Sequence, residues 1–330
     1  MTASRRAVLA SAPTRLDFGG GWTDVPPYPE ERGGFVCNIA ISRRATARVV
    51  ERDRDTLATA SADRGPVIEA ALARASVGLV DVSITSDFPI GAGLGGSSAA
   101  IVALGAALHA LRNESPALVT LAEWSRAVEV DDMGVAGGRQ DHYAAAFGGA
   151  LALTFGDATQ VSRIPLDAAT RTALERRCIV AYTGESRISG TTITAVLDAY
   201  KHGEQRVTTA LATMCALARQ MADALRSGEV AYLAQLVDEH WRAQRTLHAG
   251  ISTPRIDTIE RAARAAGATG YKALGASGGG CIMAFADDAN VDAVAQAIAP
   301  YAERLSWSID DIGVEVADLS TLDPQHVSTG

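Results

Sequence analysis

Residues 89–98 read PIGAGLGGSS, and the interpretation of the whole chain starts from this stretch. Before it, residues 82–85 (VSIT) alternate apolar and polar side chains, which is typical of a half-buried strand. After it, residues 99–111 (AAIVALGAALHAL) carry apolar residues at helical spacing. The sequence therefore predicts a strand, a glycine-rich loop and the start of a helix.

A loop of this kind at a helix start favours an anion. The first turn of a helix has N–H groups without intrahelical partners, and the helix dipole adds positive partial charge there. The four glycines of the loop would let backbone amides approach a phosphate without interference from Cβ atoms. We predict a triphosphate ligand; an ordinary glycine-rich turn capped by the two serines is the alternative that a bare loop leaves open.

Composition limits the classes of partner. The 330 residues allow one large or two medium domains. The net charge of −8, with acids and bases interspersed, argues against nucleic acid or an anionic membrane as the main partner. No stretch approaches the roughly 18 apolar residues of a membrane span, and residues 1–15 lack the apolar core of a signal peptide.

The four cysteines are far apart and include no CxxC pair; they are Cys37, Cys178, Cys215 and Cys281. This spacing indicates neither a zinc site nor a disulfide framework. We predict reduced, buried thiols in a cytoplasmic protein.

Two further glycine-rich loops are candidates for function. Residues 15–24 (RLDFGGGWTD) hold three consecutive glycines and precede three prolines, so they predict a shaped loop, with a ligand-free turn as the alternative. Residues 275–280 (GASGGG) follow one predicted strand and precede another. Glycine at this density predicts close approach to a ligand or to the loop at 89–98.

The remaining pattern gives the organisation of the chain. Strands are predicted at 7–12, 33–41, 45–51, 151–155, 178–182, 281–285, 306–309 and 313–316, and helices at 118–130, 191–200, 205–226, 229–248, 254–266 and 291–301. A polar stretch at 157–177 predicts a boundary that divides the chain into domains 1–170 and 171–330. Because strands and helices do not alternate strictly, the sequence indicates an α+β fold in two halves.

Three segments resemble the motifs of one family, the GHMP kinases, which include galactokinase, homoserine kinase and mevalonate kinase. SAPTRLDFGGGWTDV resembles the first motif, PIGAGLGGSSAA is similar to the PxGxGLxSSAA motif, and LGASGGGC is similar to the third. They occur in the family's order and extend from about residue 11 to about residue 286. The resemblance implies an N-terminal ribosomal-protein-S5-domain-2-like α/β domain and a C-terminal ferredoxin-like α+β domain, with the active site between them.

Within that family, the chain most resembles the sugar-1-kinase branch that acts on D-glycero-D-manno-heptose 7-phosphate. GGRQDHYAAAFGG and GATGYKALGASGGG are two of the stretches that carry this resemblance. It implies a cytoplasmic kinase that uses ATP and Mg²⁺, and a monomer or homodimer whose partners are a sugar phosphate and a nucleotide. A kinase for an unphosphorylated sugar such as fucose and a catalytically silent sensor of sugar and nucleotide stay open as alternatives.

The resemblance also implies site residues. The nucleotide would be bound by Pro89, Gly91, Ala92, Gly93, Leu94, Gly95, Gly96, Ser97 and Ser98. Ser97 aligns with the family's magnesium-binding serine, with Ser98 next if the register shifts, and Glu129 would complete the metal site. Spacing alone favours a solvated helix carboxylate for Glu129. Asp141 corresponds to the catalytic aspartate, and Arg15 would lie near the same centre.

The acceptor would be bound mainly by the first and third loops. Asp24 is expected to accept sugar hydroxyls, and Trp22, where relatives usually have glycine, would stack on the sugar or narrow the pocket. A 7-phosphate needs a basic clamp, for which Lys272 and Arg187 are the candidates. The full predicted set is Gly20, Gly21, Trp22, Thr23, Asp24, Asp141, Arg187, Lys272, Gly278 and Gly279.

Overall fold

The computed structural model describes residues 6–52, 65–186 and 190–319. The strands are β1 (Ala7–Gly19), β2 (Gly34–Glu51), β3 (Val80–Ser86), β4 (Ala150–Phe155), β5 (Gln160–Ile164), β6 (Cys178–Tyr182), β7 (Ala268–Ala273), β8 (Cys281–Ala286), β9 (Glu303–Leu305) and β10 (Glu315–Asp318). The helices are α1 (Tyr28–Arg32), α2 (Pro66–Ala75), α3 (Gly96–Leu111), α4 (Leu118–Ala127), α5 (Gln140–Phe147), α6 (Ala168–Arg177), α7 (Gly190–Lys201), α8 (Gln205–Arg226), α9 (Val230–Arg245), α10 (Pro254–Ala265) and α11 (Val291–Ile298).

The first sheet is antiparallel and has the strand order β10, β1, β2, β4, β5, with β3 also paired to β2. The first half of β2 pairs with β4 and its second half with β3, so this strand holds the sheet together. The prediction of two strands, at 33–41 and 45–51, was wrong, because β2 is continuous. The register of β2 against β1 shifts after Pro13, which has no N–H to donate. β2 continues through this irregularity, which is a β-bulge.

Helix α3 lies against the first sheet and is buried over most of its length. It is apolar on nearly every side, as a helix covered by a sheet and by other helices must be. Its neighbours are β1, β2, α4 and α5. This packing fixes the position of the helix start, where the glycine-rich loop ends.

The second sheet is also antiparallel and has the order β7, β8, β6, β9. Helices α8 and α9 pack against each other, α8 contacts β2 and α9 contacts β7, so this helix pair joins the two sheets. Phe18 of β1 and Phe285 of β8 lie with ring centroids 6.3 Å apart in the same core. The apolar residues of α8 divide between two cores: Leu217, Met221 and Leu225 belong to this one. Val207, Leu211 and Met214 belong to a second cluster of buried side chains.

The predicted α+β class is confirmed. The division near residue 170 stays a proposal, because β10 comes from the end of the described chain yet pairs with β1 of the first sheet. All four cysteines are buried and none forms a disulfide. Every helix within the described ranges is too short or too polar to cross a membrane.

Candidate active site

A cleft of about 930 Å³ opens at the start of α3. Its walls include the loop after β1, the glycine-rich loop 89–98 and the segment before α5. The first turns of α7 and the loop 275–280, called the third loop, complete them. Segments that are distant in sequence therefore meet at one place.

The two later glycine-rich loops contact each other through their backbones. The N–H of Cys281 donates to the carbonyl of Ala92 at 2.7 Å. A Cβ atom on Gly93, whose φ is +72°, would lie 2.9 Å from the carbonyl oxygen of Leu274. The prediction that loop 275–280 approaches the loop at 89–98 is confirmed, and glycine is needed because there is no space for a side chain.

The glycine-rich loop ends in an open helix start. Gly95 precedes α3 with a φ of +75°, and no side chain caps the helix. The first bond of the helix runs from the N–H of Ala99 to the carbonyl of Gly95, so the three amides before Ala99 have no partner within the helix. Gly96, Ser97 and Ser98 thus direct backbone donors toward the cleft that they line.

Asp141 and Arg15 form an ion pair beside this helix start. The Nη2 and Nε atoms of Arg15 lie 2.7 and 2.8 Å from Oδ1 of Asp141. Arg15 also donates through Nη1 to the carbonyl of Gly93 at 2.8 Å. A Cβ atom on Gly95 would lie 3.0 Å from the Asp141 carboxyl group, so the acid lies directly against the loop.

Burial raises the pKa of Asp141, while the positive charge of Arg15 and the neighbouring His142 oppose the rise. A carboxylate in this state retains affinity for a proton while Arg15 holds it in place. The Asp141 carboxylate can therefore accept a hydrogen bond from a hydroxyl group and orient that group.

Glu129 faces the same cleft from a π-helical turn, Val128–Asp132, which ends the predicted helix 118–130 early. Ser98 donates to Oε2 of Glu129 at 2.8 Å, and Nε2 of His142 lies 2.9 Å from the same oxygen. Burial alone would raise the pKa of Glu129, but hydrogen bonds from His142, Ser97 and Ser98 outweigh it and lower the pKa to about 2. Ser98 is buried, whereas Ser97 is exposed at the cleft.

The oxygen atoms of Glu129 and the two serines suit Mg²⁺ better than they suit a metal ion that is held by protein side chains alone. The described residues contain no group of three or more histidine, cysteine or acidic side chains that could hold a metal ion. Mg²⁺ keeps several waters and needs only one or two protein oxygens beside the oxygens of a phosphate. An ionised Glu129 with a neighbouring serine hydroxyl meets that need.

Asp24 also lines the cleft and is 1% exposed. Its Oδ2 accepts the backbone N–H groups of Arg139 and Gln140, both at 2.9 Å. Burial raises the pKa of Asp24 to about 6; the N–H of Gln140 opposes this, and repulsion from Asp141 and Asp17 adds to it.

Trp22 lines the cleft beside Asp24 and is 6% exposed. Its φ of +80° is a backbone conformation that suits glycine and costs other residues energy. Its indole nitrogen is buried without a hydrogen-bond partner. A large side chain is thus kept at the cleft in a conformation for which glycine would be the easier choice.

The prediction of Lys272 as a phosphate clamp was wrong. Its ammonium group is fully buried and donates to Oδ2 of Asp17 at 3.0 Å and to the carbonyls of Asp17 and Phe18 at 2.8 and 3.3 Å. An ammonium group has three N–H donors, and all three are used here. Lys272 is not part of the cleft wall.

Several other predicted residues also lie outside the cleft wall: Gly20, Thr23, Leu94, Gly278 and Gly279. Gly20 donates its N–H to His240, and Thr23 bonds the backbone of Gly20 and Phe35, so both shape the loop instead of facing a ligand. Gly275 and Ala276 line the cleft in place of Gly278 and Gly279. Arg187 lies outside the described residues.

The sequence reasoning missed three features of the cleft. Asp17 lines it, and the signal was an acid between two apolar residues near the end of a strand. His142 contacts Glu129, but no sequence signal linked two residues of different helical turns. The third feature is an apolar wall suited to a planar base, formed by Val67, Ile84, Phe88, Ile90, Ala100, Val135 and Ala136.

A second cavity, of about 750 Å³, shares Ser86, Phe88 and Pro89 with the cleft. Neither Asp141 nor Glu129 lines it. Arg43, on its wall, is bonded to Ser306 and to the carbonyl of Asp87. The chemistry-bearing residues therefore belong to the first cleft.

Comparison with family models agrees with this arrangement. The model described as the N-terminal domain of GHMP kinases matches residues 63–149, and the model of the C-terminal domain matches residues 221–303. The first match includes the glycine-rich loop, Glu129 and Asp141; the second includes the third loop. Together the two matches cover more than half of the chain.

Individual proteins are similar at lower identity. A D-glycero-alpha-D-manno-heptose 7-phosphate kinase from Campylobacter jejuni is 26% identical over 310 residues, which covers 86% of this chain and 90% of the relative. A bifunctional fucokinase/GDP-fucose pyrophosphorylase from Arabidopsis thaliana is 25% identical; 86% of this chain aligns with 30% of that longer protein. A crystal structure of a D-glycero-D-manno-heptose 1-phosphate kinase from Bacteroides thetaiotaomicron superposes with a TM-score of 0.74 at 22% identity, covering 94% of this chain and 98% of that one. The superposition supports the predicted two-domain fold.

Proposed function

The chain belongs to the GHMP kinase family, and from this premise we propose that it transfers the γ-phosphoryl group of ATP, with Mg²⁺, to the anomeric hydroxyl of D-glycero-D-manno-heptose 7-phosphate. The product would be the 1,7-bisphosphate. One observation carries the proposal: Asp141, held by Arg15, lies against an open helix start, the kind of site that favours anions such as phosphate.

The nucleotide would occupy the loop side of the cleft. The amides of residues 91–98 would bind the β- and γ-phosphates, and the apolar wall would hold the base. Glu129, with Ser97 and Ser98 beside it, would hold Mg²⁺, whose role when bound is to neutralise charge on the phosphate oxygens.

Asp141 would act on the acceptor. Its carboxylate orients the sugar hydroxyl toward the γ-phosphorus. It takes the hydroxyl proton as the new O–P bond forms, while the bond from the γ-phosphorus to the β,γ-bridging oxygen breaks and ADP leaves. Arg15 keeps the carboxylate in place and offsets negative charge near the transferred group. Because phosphoryl transfer has a loose transition state, positioning contributes more than complete deprotonation of the alcohol.

The choice of acceptor is supported by the heptose 7-phosphate kinase from Campylobacter jejuni among the relatives. One observation favours the second candidate, an unphosphorylated sugar such as fucose. Among the described residues, the only cationic side chain on the cleft wall is Arg15, which is already paired with Asp141. A 7-phosphate would therefore need a counter-charge from elsewhere in the chain, for which Arg187 stays the proposed candidate.

A panel of sugars with and without a terminal phosphate, assayed with Mg·ATP by coupled detection of ADP, tests the proposal. We expect the heptose 7-phosphate to give the highest kcat/KM. Highest activity with fucose would support the second candidate, and no turnover with any sugar would favour the silent sensor.

The Asp141→Asn variant tests the mechanism in the same assay. Loss of the proton acceptor should lower kcat by about 100-fold or more, while calorimetry should give a nearly unchanged dissociation constant for ATP. A variant with the wild-type rate would refute the assigned role of Asp141.

A further inference from the structure

Asp17 is a buried carboxylate that the mechanism above does not use. It lies two residues after Arg15 on β1, so both side chains project from the same face of the strand. Asp17 lines the cleft together with Asp24 and Asp141, and it is 2% exposed. Three aspartates therefore line the cleft.

The two oxygens of Asp17 have different surroundings. Oδ2 accepts from the ammonium group of Lys272 at 3.0 Å, and Lys272 is itself fixed by the carbonyls of Asp17 and Phe18. Oδ1 is buried and has no hydrogen-bond partner. A buried carboxylate oxygen without a donor is costly, and native proteins keep such an atom where a ligand or an ordered water completes it.

The loop residues after Asp17 pack closely against it and line the cleft. A Cβ atom on Gly21 would lie 2.5 Å from Oδ2 of Asp17, so only glycine fits at this point of the loop. Trp22, the next residue on the cleft wall, has a buried indole N–H without a partner. Two residues of the cleft wall therefore have an unpaired polar atom, one an acceptor and one a donor, and sugar hydroxyls can satisfy both kinds of group.

We propose that Asp17 is a further acceptor-binding residue, whose Oδ1 accepts a hydroxyl of the sugar while Lys272 holds Oδ2. The inference rests on the proposed sugar kinase activity and deepens it. Lys272 is then a positioning residue: it fixes which oxygen of Asp17 faces the ligand. Carboxylates on the cleft wall suit the hydroxyl groups of the sugar, which can donate hydrogen bonds to them.

The Asp17→Asn variant tests this assignment. Lys272 will turn the amide so that its oxygen faces the ammonium group, and the NH₂ group will then face the sugar in place of an acceptor. We expect KM for the active sugar to rise about 10- to 100-fold, with KM for ATP within about 3-fold of wild type.

A second variant keeps the test decisive if the first does not fold. Asp17→Asn combined with Lys272→Met contains no buried charge at this position, and the amide can rotate. KM for the sugar should fall part of the way back toward the wild-type value, because the amide oxygen can again face the ligand. A sugar KM equal to that of wild type in either variant would overturn the inference.

Asp238→Asn is the matched control. Asp238 is 6% exposed and bonded to Arg242 and Arg264, and it does not line the cleft. Its loss should lower the melting temperature without changing KM for the sugar. If Asp17→Asn behaves in the same way, Asp17 is only structural and the inference fails. Wild-type enzyme that phosphorylates no sugar would instead refute the proposed function.

Discussion

Asp24 carries a negative charge that its surroundings oppose. Burial raises its pKa from 3.8 to about 6, and Asp141 and Asp17 add repulsion. Between pH 3.8 and about 6, Asp24 is therefore protonated in the folded protein, whereas in the unfolded chain it has already lost its proton. The contribution of Asp24 to stability is complete below pH 3.8 and is lost as the pH rises through about 6.

We expect Asp24→Asn to stabilise the protein at pH 7.5 by about 1 to 3 kcal/mol, because the amide oxygen can still accept both backbone N–H groups without a buried charge. The gain should shrink as the pH falls from 6.5 to 4.5. Urea unfolding of wild type and variant across this range measures it. Asp157→Asn, at an exposed turn, is the control and should change the free energy of unfolding by less than about 0.5 kcal/mol at each pH. A gain that does not depend on pH would contradict this account of Asp24.

Lys272 shows why single residues were hard to assign from sequence. Its position just before a glycine-rich loop indicated a cation near the ligand. The structure gives it an internal partner, Asp17, that is 255 positions away in the chain. Burial lowers the pKa of Lys272, and the attraction of Asp17 opposes this change. No local pattern identifies such a pair, whereas Arg15 and Asp141 were identified through motifs.

At the scale of elements, the start of α3 depends on the backbone conformation of Gly95. An alanine there would have an unfavourable φ of +75° and would place its Cβ 3.0 Å from the Asp141 carboxyl group. The loop would have to move away from Asp141 to make space.

We therefore expect Gly95→Ala to weaken ATP binding about 10-fold or more and to lower stability by about 1 kcal/mol, since the loop amides lose their alignment. Gly203→Ala is the control: Gly203 has a φ of +72° in an exposed turn, with no atom within 4 Å of an added Cβ. It should lose similar stability and keep ATP affinity, as measured by calorimetry. Equal ATP affinities in both variants would refute the role given to the loop.

Elements with strong periodicity were predicted well. Helix α8 has the predicted bounds, Gln205–Arg226, because buried apolar residues recur at helical spacing along its whole length. Helices α2 and α6 were not predicted: α2 follows a polar segment, and the polar composition of α6 indicated a domain boundary. The contacts between β1, α3 and α5 that assemble the cleft are long-range, and the order of segments alone does not give them.

At the scale of the whole molecule, both sheets share a core. Ala150 and Ala152 of β4 belong to the same cluster of buried side chains as Met283 and Phe285 of β8, with α8 and α9 between them. If the chain is divided near residue 170 as proposed, the two parts share this core, and we therefore expect these two lobes to unfold together.

Native-state hydrogen exchange measures this coupling. The slowest amides of β4 and β8 should give the same free energy of opening, within about 1 kcal/mol, and should respond alike to urea. Distinct free energies for the two strands would show that the lobes unfold independently.

The backbone contact between Ala92 and Cys281 has a consequence for protein engineering. A chimera that takes its first lobe from this chain and its second from a distant relative must match two main-chain surfaces that leave no space for a larger residue on either side. Successful recombination would then require both glycine-rich stretches to be inherited from the same parent. If the crossover point lies between these two stretches, most of the chimeras should be inactive, even when both parent enzymes are active.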